Sequence, residues 1–204
     1  PRVARAFTDP RSHVVIDDAK AYFASQNKKF DLIVSEPSNP WISGVGALFS
    51  KEFYRFVPKH LNEEGLFVQW VQLYEIDDEL LGSILQAMIP AFADYSAWIS
   101  NRNDLIIVAS PQGKVPKLDF GRLIGAKALK PELARLGVSS VENLAFRQVA
   151  NAPLLRGAAA AYASHPANSD YLPILGLYAP KTRFQSSTAS AHFALPYLNS
   201  NLLA

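Results

Sequence analysis

Residues 31–46 read DLIVSEPSNPWISGVG, a short apolar run followed by a loop rich in proline, serine and glycine. An apolar run of this length, bounded by residues that break regular structure, predicts a buried strand that ends near Ser35. In an open α/β sheet, ligands bind beyond the carboxyl ends of the strands. We therefore expect the loop that begins at Glu36 to lie at a ligand-binding edge.

The segments around this loop repeat a pattern of strand followed by helix. Upstream, the β-branched residues 13–16 predict a buried strand, and residues 19–25 predict a helix. Downstream, Ser50 is a candidate cap for a helix, and Gly65 is predicted to be the glycine that ends it. The strand at 31–35 thus lies between two predicted helices.

The same alternation continues toward the middle of the chain. Residues 66–71 predict a third strand, and residues 77–88 predict a helix that opens on two aspartates. Residues 95–99 and 104–109 are spaced as the two strands of a hairpin. Alternating strands and helices predict a parallel sheet with right-handed crossovers, to which the hairpin adds an antiparallel edge strand.

The character of the sequence changes after Gly113. Residues 118–161 are rich in alanine and leucine at helical spacing, without a strand pattern, and residues 164–204 are rich in proline, serine and asparagine. We expect the first of these stretches to form helices that pack on the sheet, and the second to be irregular. The predicted organisation is therefore an α/β domain over residues 1–113 and a helical and irregular C-terminal extension over residues 114–204.

Composition excludes several classes of function. The chain has no cysteine, which excludes disulfides, thiolate metal sites and a cysteine nucleophile. Its four histidines are not paired at helical spacing, so no metal site is predicted. A net charge of +2 without a dense basic block predicts neither a nucleic-acid partner nor direct membrane contact. No apolar run reaches the roughly 20 residues that span a bilayer.

Polar residues at the predicted strand ends are candidates for chemistry. A carboxylate at Glu36, on a loop stiffened by Pro37 and Pro40, can hold or deprotonate an amine, although an ordinary turn also uses such residues. Asn39 on the same loop can contact a substrate. Asp18 follows the first predicted strand, where it can accept a hydrogen bond from an adenine amino group or simply cap a helix.

Two aromatic residues and one amide are candidates for a substrate pocket. Trp41 lies among loop residues, where it is equally suited to a pocket wall and to the core. Gln69 lies inside an apolar strand and needs a hydrogen-bond partner if it is buried. Tyr74 follows that strand and reaches either a ligand or solvent.

Taken in order, these segments resemble the spermidine synthase (aminopropyltransferase) family. The strand and loop at 31–40, with the Leu-Phe pair at 48–49 and the Phe-Tyr pair at 53–54, resemble the central signature of that family. Residues 11–19 resemble its Gly-Asp-Gly/Ala segment, and residues 61–69 resemble its Leu-x-x-x-Gly strand. Residues 168–180 are similar to a stretch of larger spermidine-synthase-like proteins, in which the domain often follows a membrane-embedded part.

This resemblance implies a fold, a donor and a set of site residues. The implied fold is α/β, a partial class I S-adenosylmethionine-dependent methyltransferase-like (Rossmann-like) sheet with a helical C-terminal extension. The implied reaction moves an aminopropyl group from decarboxylated S-adenosylmethionine, a co-substrate and not a tightly bound cofactor, to an amine or polyamine. The implied site residues are Glu36 and Asn39 for catalysis, Asp17, Asp18 and Ala19 for the adenosyl donor, and Trp41, Gln69 and Tyr74 for the substrate.

The sequence departs from the family pattern at several positions, and these departures bear on the predicted activity. The family's glycine-rich loop and its ribose-binding acid would precede Pro1, which predicts a fragment that is inactive in isolation. The family's two loop aspartates are replaced by Glu36 and Asn39, and Asp17 replaces a glycine. The charge lost at Asn39 weighs against the dication putrescine as the acceptor.

Two other functions remain open from the sequence alone. The chain can be a non-catalytic sensing or structural domain of a larger, membrane-bound protein, or a methyltransferase that uses S-adenosylmethionine on the same fold. A homodimer is compatible with either function. We expect a cytoplasmic location, either for a free protein or for the soluble domain of a membrane protein.

Overall fold

A mixed five-stranded sheet organises the chain in the computed structural model, which describes residues 4–101, 103–162 and 164–189. Its strands lie side by side in the order β1-β2-β4-β3-β5. Only β1 and β2 are parallel to each other, and every other neighbouring pair is antiparallel. In chain order the strands are β1 (Phe30–Ser35), β2 (Leu61–Gln72), β3 (Asp94–Asn101), β4 (Asp104–Ser110) and β5 (Gln148–Asn151).

Helices of one to three turns connect these strands and continue beyond them. Ser50 and Asp77 cap two of the helices as predicted, because their side chains accept hydrogen bonds from Phe53 N and Leu80 N. Short 3₁₀ turns lie at Val45–Phe49, Val57–His60 and Ile89–Ala91. The α-helices among the described residues are α1 (Ala4–Thr8), α2 (Ala19–Ser25), α3 (Lys51–Phe56), α4 (Asp78–Met88), α5 (Phe120–Gly125), α6 (Lys130–Arg135), α7 (Val141–Ala145), α8 (Ala152–Ala161) and α9 (Ile174–Phe184).

One face of the sheet is covered by helices, and it forms the core. The ring of Tyr54 in α3 packs against Phe67 of β2 with the centroids 6.0 Å apart, and both side chains are fully buried. Helix α8 contacts α4, β3 and β5. This contact confirms that part of the C-terminal extension packs on the sheet, as its apolar composition predicts.

The opposite face is covered much less at its β1 end. Leu32 and Val34 of β1 are 54% and 58% exposed. They lie in register with Leu66 and Val68 of β2, so these residues form a continuous apolar surface. Alternation along β1 places only Ile33 in the core.

The predicted strand at residues 13–16 is wrong. This segment is extended but joins no strand ladder among the described residues, and its apolar side chains are 56% to 99% exposed. A strand requires hydrogen bonds to a neighbour, and no described strand lies beside this segment. Because the strand is absent, the sheet contains one parallel pair and not the predicted parallel series.

The predicted role of Gly65 as a helix end is also wrong. Helix α3 ends at Phe56, and Gly65 lies inside β2, at an irregularity in the register between β1 and β2. A Cβ atom at this position would lie 2.9 Å from the carbonyl oxygen of Phe30. Gly65 therefore lies where the β1 backbone comes too close to β2 for a side chain.

The C-terminal extension contains more regular structure than its composition predicts. The hairpin of β3 and β4 is confirmed, but it is not the sheet edge, because β5 pairs with β3. Strand β5 lies in a stretch for which no strand is predicted. Helix α9 corrects the prediction that residues 164–204 are irregular, within the described part of that range. Its buried residues are Leu175, Ala179 and Thr182, at helical spacing.

Candidate functional site

The carboxyl ends of β1 and β2 lie at one edge of the sheet, because the two strands are parallel. Ser35 is the last residue of β1 and lies in register with Gln69. The loop that begins at Glu36 therefore starts beside the last residues of β2 and the segment that follows them. The predicted position of this loop at the strand ends is confirmed for β1 and β2, whereas the first predicted strand, which Asp17 and Asp18 would follow, is absent.

Gln69 joins the two strands from inside the core. Its side chain is fully buried, and its Nε2 donates hydrogen bonds to the carbonyl oxygens of Ser35, at 3.3 Å, and Trp70, at 2.8 Å. Its Oε1 accepts a hydrogen bond from the hydroxyl of Tyr54 at 3.3 Å. The prediction that a buried Gln69 needs partners is confirmed, and these partners leave it a structural role at the edge.

Glu36 and Asn39 lie on the loop in different environments. The side chain of Glu36 is exposed, and among the described residues it makes no hydrogen bond or ion pair. Asn39 is half-buried, and its carbonyl oxygen accepts a hydrogen bond from Ile42 N at 2.9 Å, which closes a turn. The Glu36 carboxylate is therefore available to a ligand, whereas Asn39 also shapes the loop.

Trp41 and Tyr74 contact each other across the edge. Their ring centroids are 6.3 Å apart in an edge-to-face arrangement, and both side chains are half-buried. This contact joins the loop after β1 to the segment after β2. The structure therefore brings together the two aromatic residues that the sequence identifies as candidates for a pocket wall.

Helix α9 and the segment that follows it reach the same two residues. The guanidinium of Arg183 lies 5.1 Å from the centroid of the Trp41 ring. The segment after α9 pairs with the segment after β2, since Ala189 N donates a 2.8 Å hydrogen bond to Leu73 O and Thr188 bridges to Tyr74. Sequence reasoning missed Arg183, because its position at the site depends on a helix that composition does not predict.

The segment proposed for the adenosyl donor lies at the start of α2. Asp18 caps this helix through a 2.9 Å hydrogen bond from Ala21 N to its Oδ1, and Asp17 and Ala19 are its neighbours. Asp18 is exposed, and no hydrogen bond to its second carboxylate oxygen is found among the described residues. Helix capping and contact with an adenine amino group are therefore compatible at Asp18.

Lys20 connects the start of α2 to the segment before α9. Its Nζ lies 2.5 Å from Oδ2 of Asp170, and both residues line a cavity of about 330 Å³ together with Gly44 and Gly46. The start of α2 and the distal part of the loop that carries Trp41 thus face one space. Asp17, Asp18 and Ala19 directly precede Lys20 in the sequence but do not line this cavity.

Asn168 holds this arrangement together. Its buried side chain donates a 2.8 Å hydrogen bond to Gly46 O and accepts one of 3.1 Å from Leu175 N at the start of α9. Its backbone N–H and carbonyl bond to Ser83 O and Lys51 N. The Asn-Ser-Asp motif at 168–170 is the sequence signal for this residue, but the motif does not reveal which segments it joins.

Two features are absent from the described ranges. No group of three histidine, aspartate or glutamate side chains there is placed to hold a metal ion. No described helix is both long and apolar enough to cross a membrane.

Sequence comparison places the candidate site in a family. The model of the spermine/spermidine synthase domain matches residues 1–101, a range that contains all eight predicted site residues. Residues 1–101 belong to the spermine/spermidine synthase family. Helix α9 and Asn168 lie outside the matched range.

Individual relatives agree with this assignment. The polyamine aminopropyltransferase of Desulforudis audaxviator is 44% identical over 68 residues, which are 33% of this chain and 24% of that enzyme. The polyamine aminopropyltransferase of Pectobacterium atrosepticum is 33% identical over 114 residues, which are 48% of this chain and 39% of that enzyme. The chain thus covers about a quarter to two fifths of these curated relatives.

Solved structures support the fold of the spermidine synthase-like domain. A probable spermidine synthase from Corynebacterium glutamicum superposes with a TM-score of 0.50, at 16% sequence identity, over 83% of this chain and 59% of that one. The α/β fold predicted from the resemblance, of the class I methyltransferase-like type, is therefore confirmed.

Proposed function

We propose that this chain supplies the acceptor side of an aminopropyltransferase site, together with one contact to the adenine of the donor. In the full-length protein, an aminopropyl group would pass from decarboxylated S-adenosylmethionine to an amine or polyamine. The observation that carries this proposal is the contact between Trp41 and Tyr74. It joins the two strand ends at which this fold binds ligands, inside the range that matches the family.

The chemical step needs orientation more than activation of the donor. The amine nitrogen attacks the propyl carbon that is bonded to the sulfonium, so a C–N bond forms as the C–S bond breaks. The electron pair of that C–S bond stays on sulfur, which leaves as neutral methylthioadenosine. The nitrogen loses a proton to a base, because only a neutral amine has a free lone pair for the attack.

Three residues receive roles in this step. Glu36 would orient the amine and accept its proton, a role supported by an exposed carboxylate without a partner among the described residues. Asn39 would contact the acceptor as a neutral group. Asp18 would bind the adenine amino group with the carboxylate oxygen that capping leaves available.

The proposal also covers the C-terminal extension, the location of the protein and the choice of acceptor. Residues 114–204 would act as an extension that positions α9 at the edge of the site formed by residues 1–113. The protein would act in the cytoplasm, whether or not it is attached to a membrane part. The amide at Asn39 favours acceptors other than the dication putrescine, and a homodimer is compatible with this arrangement.

The decisive experiment measures methylthioadenosine release by the full-length protein with a panel of mono-, di- and polyamines. Glu36→Gln keeps the shape of the side chain and removes its charge, so it should lower the rate about 100-fold or more. Glu63→Gln makes the same exchange at an exposed position near the opposite end of β2 and should leave the rate unchanged. If the wild-type protein releases no product with any amine, a non-catalytic role replaces this proposal.

A further inference from the structure

Arg183 places a positive charge on the aromatic wall of the candidate site. Its guanidinium lies 5.1 Å from the centroid of the Trp41 ring, which also contacts the ring of Tyr74. Its Nε lies 3.9 Å from Oε2 of Glu75. An aromatic face and a carboxylate thus hold one cation between them, which is the arrangement that proteins use to bind alkylammonium groups.

Glu75 is held in this position by an unusual backbone conformation. Its φ of 57° lies in the left-handed region, which non-glycine residues rarely adopt. Its carbonyl oxygen accepts a 2.9 Å hydrogen bond from the hydroxyl of Thr182, the residue before Arg183. Such conformations persist where the surroundings fix them, and they are concentrated at ligand-binding sites.

A cavity of about 380 Å³ opens beside this cation, lined by Trp41, Glu75, Pro180, Arg183 and Phe184. Apart from the Arg183 cation, its walls are apolar except for one carboxylate. The ring of Phe184 is 92% exposed, and nothing in the described chain covers it. Such a space suits a short alkyl chain that carries one positive charge at its end.

The contacts of Arg183 are weak enough to be replaced. Its side chain is 57% exposed, and 3.9 Å is long for an ion pair. Water therefore screens most of the attraction between Arg183 and Glu75. An ammonium ion that enters the cavity competes for the same ring face and the same carboxylate.

We propose that Trp41 and Glu75, with Tyr74 packed against Trp41, form an ammonium subsite for one end of the acceptor amine, and that Arg183 occupies it as an internal competitor. The inference rests on the proposed function in that the ligand is an amine. It extends that function to the C-terminal extension, because Arg183 lies outside the range that matches the family. Helix α9 thereby sets how tightly the amine binds.

The test is a calorimetric titration of the full-length protein with n-butylamine and 1,4-diaminobutane. Arg183→Gln should bind both amines roughly two- to fivefold more tightly than the wild type, the scale of an exposed cation–π contact. Arg183→Lys keeps the charge and should remain close to the wild type. Arg135→Gln removes another exposed arginine, paired with Glu132 in α6, and should change nothing. Trp41→Leu should weaken binding and abolish the gain from Arg183→Gln.

The proposal is overturned if Arg183→Gln binds the amines as the wild type does or more weakly, or if no variant binds either amine. Equal binding of neutral 1-butanol would also overturn it, because the subsite would then not recognise charge. These titrations do not depend on group transfer. If the wild type releases product but Arg183→Gln does not change amine binding, the subsite alone is contradicted. If Arg183→Gln tightens amine binding but the wild type releases no product, the transferase proposal alone is contradicted.

Discussion

The side-chain amide of Gln69 reaches across the sheet to Ser35, the residue that faces it on β1, and donates a 3.3 Å hydrogen bond to its carbonyl oxygen. This bond lies at the last residue of β1, directly before the loop that carries Glu36. The buried amide therefore fixes the point at which the loop leaves the sheet. Replacement of Gln69 should therefore affect the contact between the ends of β1 and β2 more than the rest of the core.

We expect Gln69→Leu to lower the free energy of unfolding by about 1–3 kcal/mol, because the Tyr54 hydroxyl loses its partner in a dry environment. Urea denaturation measures this change. Tyr54→Phe leaves only Oε1 of Gln69 without a partner and keeps the two bonds from Gln69 to the backbone, so it should cost less. Equal losses in the two variants would contradict a special role for the amide.

Asn168→Ala should be among the most destabilising polar substitutions in the chain. It leaves the Gly46 carbonyl and the Leu175 N–H without partners in a buried position, which costs roughly 2–4 kcal/mol together. Thermal unfolding provides the measurement. Asn143→Ala is the matched control, since that exposed side chain bonds only to nearby Ser139, and a similar loss in both would argue against the long-range role of Asn168.

Gly65→Ala should destabilise the protein by about 1–3 kcal/mol, because the added methyl group would meet the Phe30 carbonyl at 2.9 Å and push β1 away from β2. Gly157→Ala is the opposite case. Gly157 lies inside α8 with open space around it, so alanine should stabilise by about 0.5–1 kcal/mol. Parallel urea titrations of the two variants should therefore give shifts of opposite sign.

Alkaline pH should destabilise the fold through Tyr162. Burial, followed by the nearby carboxylates of Asp78, Asp77 and Glu79, raises the pKa of its phenol to about 12. The unfolded chain ionises this group near pH 10, so the stabilisation is complete below about pH 10 and is lost as pH rises toward about 12. The loss is on the order of 2 kcal/mol for this group.

Melting temperatures measured between pH 9 and 12, at roughly half-unit steps, test this dependence. Tyr162→Phe should show a shallower decline than the wild type. Some decline should remain, because burial also raises the pKa values of Tyr54 and Tyr95. Identical curves for the variant and the wild type would show that Tyr162 ionises equally in both states.

Asn39→Asp should change acceptor preference in the direction opposite to Glu36→Gln. It adds a carboxylate to the half-buried loop position, so a diamine should bind more tightly by roughly 1–3 kcal/mol, whereas a monoamine of equal length should gain less. The ratio of kcat/KM for the two amines in the full-length protein measures the effect. An unchanged ratio would show that residue 39 serves the turn alone.

Local sequence patterns predict the helices and strands whose own residues carry the pattern. β1, the later part of β2, the hairpin and α4 follow from apolar runs, and the caps at Ser50 and Asp77 are visible as single residues. Residues 13–16 show the limit of this reasoning. Their pattern suits a strand, but a strand also needs a neighbour, which no local pattern provides.

The same limit explains the elements that were not predicted. β5 has only four residues, too few for a periodic signal, and it forms because β3 offers it an edge. The residues of the candidate site likewise include some that local patterns predict and one that they do not. Glu36, Trp41 and Tyr74 are identified from the ends of predicted strands, whereas Arg183 reaches the site through tertiary packing of a distant helix.

The bond between Asn168 and Gly46 also has a consequence for the order of folding. It spans 122 residues, so the chain loses the entropy of closing a very long loop before this contact can form. The hairpin of β3 and β4, by contrast, closes across a few residues. The loop with Trp41 should therefore acquire its final shape last, and in native-state hydrogen exchange the Leu175 amide should open more readily than the amides of the central strands.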